Sequence, residues 1–202
     1  MSDLLDLWDW RRRIASLYAA IAAGGDAAEA HRLWRCERSR LFREHPQSPI
    51  PAEHRRTYDG PHAFAYDESM RLAVALTPVV QSAGFVVDAG ADGAISLTPF
   101  ARTQGLAASL GGELTLYWIG GYGGGVFLPF GDATNARETY GGGRYLLDTI
   151  KGADLGTTTG GRTILDFNFA YFPSCAYSDR FVCPLPRLEN RFPAPVRAGE
   201  RL

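Results

Sequence analysis

From residue 63 onward the chain is cut by glycine every few residues, and the stretches between the cuts are short, apolar or alternating. This pattern constrains the fold more than any other feature, because runs of roughly four to eight residues suit strands and are too short for helices. It predicts strands over residues 63–66, 71–77, 85–88, 94–100, 106–110, 113–119, 126–130, 145–149 and 163–167. The breakers between them include Gly90-Ala91-Asp92-Gly93, Gly111-Gly112, Gly123-Gly124-Gly125 and Gly160-Gly161. Short strands at this spacing predict an antiparallel barrel or sandwich. No helix-length pattern recurs between the strands, as a parallel α/β sheet would require.

The first 46 residues read differently. Leu4, Leu7, Trp8, Ile14, Leu17, Tyr18 and Ile21 recur at three- and four-residue steps, which predicts a helix ending at Gly24-Gly25. Asp26, with Glu29 three residues on, marks the N-cap of a second helix that stops before Pro46. Trp8, Leu17, Trp34, Leu41 and Phe42 are expected to be buried, because faces this apolar need a surface to cover. The fold class is therefore α+β, a predominantly antiparallel β barrel or sandwich with an N-terminal two-helix arm. One domain is expected over 1–202: a helical arm (1–46), a proline-marked linker (47–62), a β-rich core (63–172) and an ordered proline-rich tail (173–202).

Composition excludes several functions. With 46% hydrophobic residues and a formal net charge of -1, the chain is globular and carries no basic excess for nucleic acid or an anionic membrane. Three cysteines, Cys36, Cys175 and Cys183, fit a reducing compartment better than a disulfide scaffold, and no signal or membrane-spanning segment is visible. A cytoplasmic protein is expected. There is no G-x-S-x-G elbow, Walker loop or H-E-x-x-H motif. Residues 120–125 form a glycine run between two strands, which reads as a hairpin and not as a dinucleotide fingerprint. All four histidines lie in the first third at spacings that match no standard zinc site. No metal and no cofactor are expected.

Two segments hold more polar residues than packing needs. The first runs from Phe130, Gly131 and Asp132 through Glu138, Tyr140 and three glycines to Arg144. Arg144 is suited to grip a carboxylate or phosphate bidentately, or to pair internally with Glu138 or Asp166. The second carries Asp166, Asn168 and Tyr171, then Cys175 and Cys183. In a strand Asp166 and Asn168 share a face, and Arg144 is the expected partner of a carboxylate buried there. The two cysteines fit a nucleophile, a metal pair, a redox pair or simple buried side chains.

These blocks carry a resemblance. Phe127-Leu-Pro-Phe-Gly-Asp-Ala-Thr, Glu138-Thr-Tyr-Gly-Gly-Gly-Arg-Tyr, Asp166-Phe-Asn-Phe-Ala-Tyr, Cys175-Ala-Tyr, Cys183-Pro-Leu-Pro, Glu189-Asn-Arg and Ala198-Gly-Glu resemble the hallmark blocks of the domain of unknown function 1684 family. Trp34-Arg35, Arg38 and His45-Pro-Gln-Ser-Pro resemble its shorter bacterial form. The chain departs from the family pattern at Phe172, where asparagine usually follows the tyrosine, and at Gly131, where arginine is common. The resemblance implies no reaction.

The residues alone predict a small-molecule-binding protein, with metal-independent acid–base enzymology on an anionic or polar metabolite as the first expectation. Glu138, Tyr140 and Asp166 are the candidate catalytic groups. Arg144, Asn168, Tyr171 and Phe130 are the candidate substrate contacts. The alternatives are a non-catalytic ligand-binding protein and a polar cluster that serves structure or a protein partner.

Overall fold

A stripe of Ile14, Leu17, Tyr18 and Ile21, all buried, fixes how the first helix lies on the rest of the molecule. The structure is a computed structural model and describes residues 3–80, 82–90 and 93–202. Met1, Ser2 and two residues of the Gly90–Gly93 breaker, Ala91 and Asp92, lie outside that set. Helix α1 spans Asp3–Ala23 and α2 spans Ala27–Glu44. Asp26 caps α2 as its sequence position predicts, its Oδ1 accepting the Ala28 and Glu29 amides at 2.9 and 3.0 Å. Leu17, Trp34, Leu41 and Phe42 are buried. Trp8 is not: it is 58% exposed, and Arg12 stacks over its ring at 4.6 Å. Nearly two helical turns before Ile14, at Trp8, the stripe has already run past the surface it covers.

The strands are β1 (His62–Ala63), β2 (Arg71–Pro78), β3 (Phe85–Asp88), β4 (Ala94–Gln104), β5 (Thr115–Ile119), β6 (Gly125–Phe130), β7 (Arg144–Asp148), β8 (Thr163–Asp166) and β9 (Glu200–Arg201). Among the described residues, seven of them form one antiparallel sheet in the order β7-β6-β5-β4-β2-β8, with β3 added on β4. The ends of that path nearly meet. The Tyr145 amide donates to the Tyr171 carbonyl at 2.8 Å and the Tyr171 amide donates back at 3.1 Å, so the chain just beyond β8 pairs with β7. The result is two helices followed by a nearly closed, barrel-like antiparallel sheet. No helix among the described residues is long and apolar enough to cross a membrane.

One predicted strand is a helix. Residues 107–110 form a single α-helical turn, α3 (Ala107–Leu110), because Glu113 reaches back over its start. Its Oε1 accepts the Gly105, Leu106 and Ala107 amides at 2.9–3.0 Å, and Gly111, at φ +79°, ends the turn. Leu106 and Leu110 then point into the same core, four residues apart.

Alternation sorts the core into two clusters. Leu116 and Leu128 join Phe130, Leu165, Phe167, Phe192 and Val196, so the C-terminal segment completes one face of the sheet. Tyr117, Phe127 and Tyr145 join Ile14, Leu17, Tyr18, Trp34 and Phe169, so the helical arm covers the other. The glycine run of residues 120–125 is a hairpin, with Ile119 opposite Gly125. At Gly143, with φ +86°, a Cβ would lie 2.6 Å from both the Phe130 carbonyl oxygen and Pro186 Cγ. Gly143→Ala is therefore expected to cost about 2 kcal/mol or more, through the left-handed backbone and that clash together. Urea denaturation should show a lower midpoint at unchanged slope.

Candidate functional site

The predicted polar residues are present, ordered and mostly committed to one another's backbone. Arg144 is fully buried, but its carboxylate partner is Asp132, at 2.9 Å, and neither Glu138 nor Asp166. The same guanidinium donates to the carbonyls of Val196 at 2.7 Å, Glu200 at 3.2 Å and Ala198. The other oxygen of Asp132 accepts the Thr134 amide and hydroxyl and the Val196 amide. Arg144 thus brackets the C-terminal segment to the sheet, and the ring of Phe130 lies under it at 5.0 Å. No ligand anion can reach a guanidinium so enclosed.

Asp166 and Asn168 do not project from one strand face, because β8 ends at Asp166. Asp166 caps a 3-10 turn over Phe167–Phe169, its Oδ1 accepting the Asn168 amide at 3.1 Å and side-chain nitrogen at 2.8 Å. Its other oxygen takes Arg71 at 3.0 Å. Burial pushes the Asp166 carboxyl above its usual range, against those hydrogen bonds. Asn168 spends its remaining capacity on the backbone of Asp67, at 2.8 and 2.9 Å. Glu138 lies at the surface in a forked pair with Arg197, which lowers its carboxyl pKa. The predicted Arg144–Asp166 constellation therefore does not exist; two separate structural pairs stand in its place.

Tyr171 is buried in an aromatic box around Arg38, whose guanidinium lies 5.0–5.2 Å from the Tyr171, Phe42 and Trp34 rings. Arg38 forms a buried pair with Glu200, and Glu200 also accepts the Phe172 amide at 2.6 Å and the Tyr177 hydroxyl at 2.9 Å. Among the described residues the Tyr171 hydroxyl has no hydrogen-bond partner, and Tyr171 borders a small cavity of about 60 Å³. Phe172 borders that cavity too, between the rings of Tyr140 and Tyr177. The second departure from the family pattern also has a neighbour: a Cβ on Gly131 would lie 2.7 Å from the Arg191 guanidinium, which covers that backbone.

The roomier site was not legible in the sequence. A cleft of about 540 Å³ opens between α1, the strand ends and the C-terminal segment. Trp10 and Arg11 of α1 form one wall, and Ile95, Ile119, Phe127 and Tyr145 of β4–β7 form the floor. Ser174 and residues 181–184 close the far side. One end is polar. Asp148 pairs with Lys151 at 3.0 Å, and the Tyr145 hydroxyl donates to the Pro184 carbonyl at 2.7 Å. Burial raises the Tyr145 hydroxyl well above its ordinary pKa, so it stays protonated. Lys151 is the only lysine in the chain.

Cys183 also lines this cleft. Its sulfur accepts the Cys175 amide at 3.4 Å, and the Cys175 sulfur meets the Tyr140 hydroxyl at 3.7 Å. Hydrogen bonding with the Cys175 side chain, aided by that amide, Lys151 and Tyr145, pulls the Cys183 thiol below its ordinary pKa despite burial. The same bond and burial push Cys175 up. Both thiols are free, as is the exposed Cys36. Two larger grooves, of about 650 and 580 Å³, run along the outer face of the helices. Most of their charges are paired among themselves, as in Arg13–Asp9 and Arg40–Glu37, and the larger also has the buried Asp6 and His45 in its lining. Among the described residues no cluster of three or more His, Cys, Asp or Glu is disposed to hold a metal.

Fold and site together define a barrel-like α+β protein with a cleft between its first helix and the ends of its strands. The chain belongs to the family described as protein of unknown function (DUF1684), whose model matches residues 56–201. That match covers the sheet and the C-terminal segment and begins after the helical arm. The chain is also similar to an uncharacterised protein from gene locus rrnAC0354 of Haloarcula marismortui, known from a solution NMR structure. The two are 33% identical over 83% of this chain and 90% of that one, with a TM-score of 0.58. No curated protein matches the chain.

Proposed function

We propose that the protein binds a small amphipathic metabolite, anionic at one end, in the cleft roofed by α1. The observation that carries this reading is the composition of the cleft: apolar strand residues on its floor, with Arg11, Tyr145, Ser174 and the Lys151–Asp148 pair also in its lining. A volume of about 540 Å³ is that of an ordinary small-molecule site. Binding fits better than acid–base catalysis here. Asp148 is held by Lys151, the Tyr145 hydroxyl is committed to a carbonyl, and Glu138 and Asp166 are engaged elsewhere.

Decanoate is a suitable probe, with an apolar chain for Ile119 and Phe127 and a carboxylate for Lys151. Calorimetry should show binding to the wild type, with Lys151→Glu weakening it about tenfold, a loss of about 1.4 kcal/mol. The variant also sets a second carboxylate beside the buried Asp148, so some loss of Tm is expected and affinity is compared below the variant's own transition. Equal affinity in the variant would remove the cleft's polar end from the account.

A further inference from the structure

We propose that Cys183 and Cys175 form a two-cysteine redox site, in which Cys183 attacks a hydroperoxide entering the cleft and Cys175 resolves the product as a disulfide. This rests on the cleft being open to small molecules, as in the binding reading, but needs no particular ligand. Geometry assigns the roles. Cys183 lines the cleft with Lys151 and Tyr145, whereas Cys175 is not among the residues that line it and approaches from the 3-10 turn of Ser174–Ala176. A sulfur 3.4 Å from the Cys175 amide nitrogen is within reach of that residue's own thiol by rotation about χ1. The Cys175 amide, 3.4 Å from the Cys183 sulfur, and the Lys151 charge in the same cleft both favour a thiolate at Cys183.

The chemistry balances with a hydroperoxide as oxidant. The Cys183 thiolate attacks the terminal oxygen of ROOH, the O–O bond breaks, and the leaving alkoxide takes a proton to become ROH, leaving Cys183 as the sulfenic acid. The Cys175 thiol then attacks that sulfur, forming the S–S bond and releasing the sulfenic oxygen as water with the Cys175 proton. An external dithiol returns both thiols, supplying two electrons and two protons and leaving as its own disulfide.

Reduced protein, cleared of reductant, is treated with equimolar hydrogen peroxide or cumene hydroperoxide, then alkylated under denaturing conditions and mapped by mass spectrometry. The expected product is an intramolecular Cys175–Cys183 disulfide, formed at least about tenfold faster than any oxidation of Cys36, the exposed thiol in the same chain. In Cys175→Ser, dimedone should trap a sulfenic acid at Cys183; in Cys183→Ser, Cys175 should remain a thiol. Oxidation of Cys36 as fast as Cys183, a sulfenic acid found first at Cys175, or oxidised Cys183 that never joins Cys175 would each overturn the proposal. The wild-type mapping stands even if a variant fails to fold. Because hydrogen peroxide needs no apolar wall, its failure would count against the thiol site alone, and failure of decanoate to bind would count against the binding reading alone.

Discussion

Arg144→Gln should destabilise the protein by about 3–5 kcal/mol, as expected when one side of a buried pair is removed and the other is left charged. The change strands Asp132 in the core, with its side chain fully buried, and frees the carbonyls of Val196, Ala198 and Glu200 together. For a chain of 202 residues a loss of that size lowers Tm by roughly 6–20 °C. Decanoate affinity, measured below the new transition, should be unchanged, because Arg144 does not line the cleft. Loss of affinity at undiminished stability would restore Arg144 as a ligand anchor.

The second large effect is expected at Glu200. This carboxylate is fully buried and joins three elements: Arg38 of α2, the amide of Phe172 beyond β8, and the hydroxyl of Tyr177. Glu200→Ala leaves the Arg38 guanidinium buried among aromatic rings without its counter-charge, at a cost of about 3–5 kcal/mol. The loss should be regional as well as global. Since α2 is tied to the sheet through this pair, hydrogen exchange in α2 should accelerate more than exchange in β4–β6. Uniform acceleration, or a loss under about 1 kcal/mol, would contradict the role of Glu200 as the clasp between arm and barrel.

Much of the fold was legible because its signals are local. Asp26 caps α2 with an amide two residues away, and Phe85–Asp88 alternates within four residues; neither needs the rest of the chain. Residues 106–110 misled because what makes them helical is Glu113, a carboxylate beyond the glycine pair, and an isolated five-residue apolar run carries no period of its own. The polar residues were correctly singled out and wrongly joined. A buried arginine demands a carboxylate, but the sequence does not say which one. Asp132, twelve residues before Arg144, was passed over for Asp166, whose Asp-x-Asn spacing is that of a turn cap. The cleft was invisible for a different reason. Trp10, Phe127, Lys151 and Cys183 sit on four separated segments that only the closed sheet and the roof of α1 bring together.

A decanoate titration followed through the backbone amide resonances tests the central claim most directly. Binding in the cleft predicts saturable shifts at Arg11, Phe127, Tyr145, Lys151 and Cys183, with little change at Asp132, Arg144 or Asp166. Shifts confined to the outer helical grooves around Asp9, Arg13 and Arg40, or around Arg144, would contradict it.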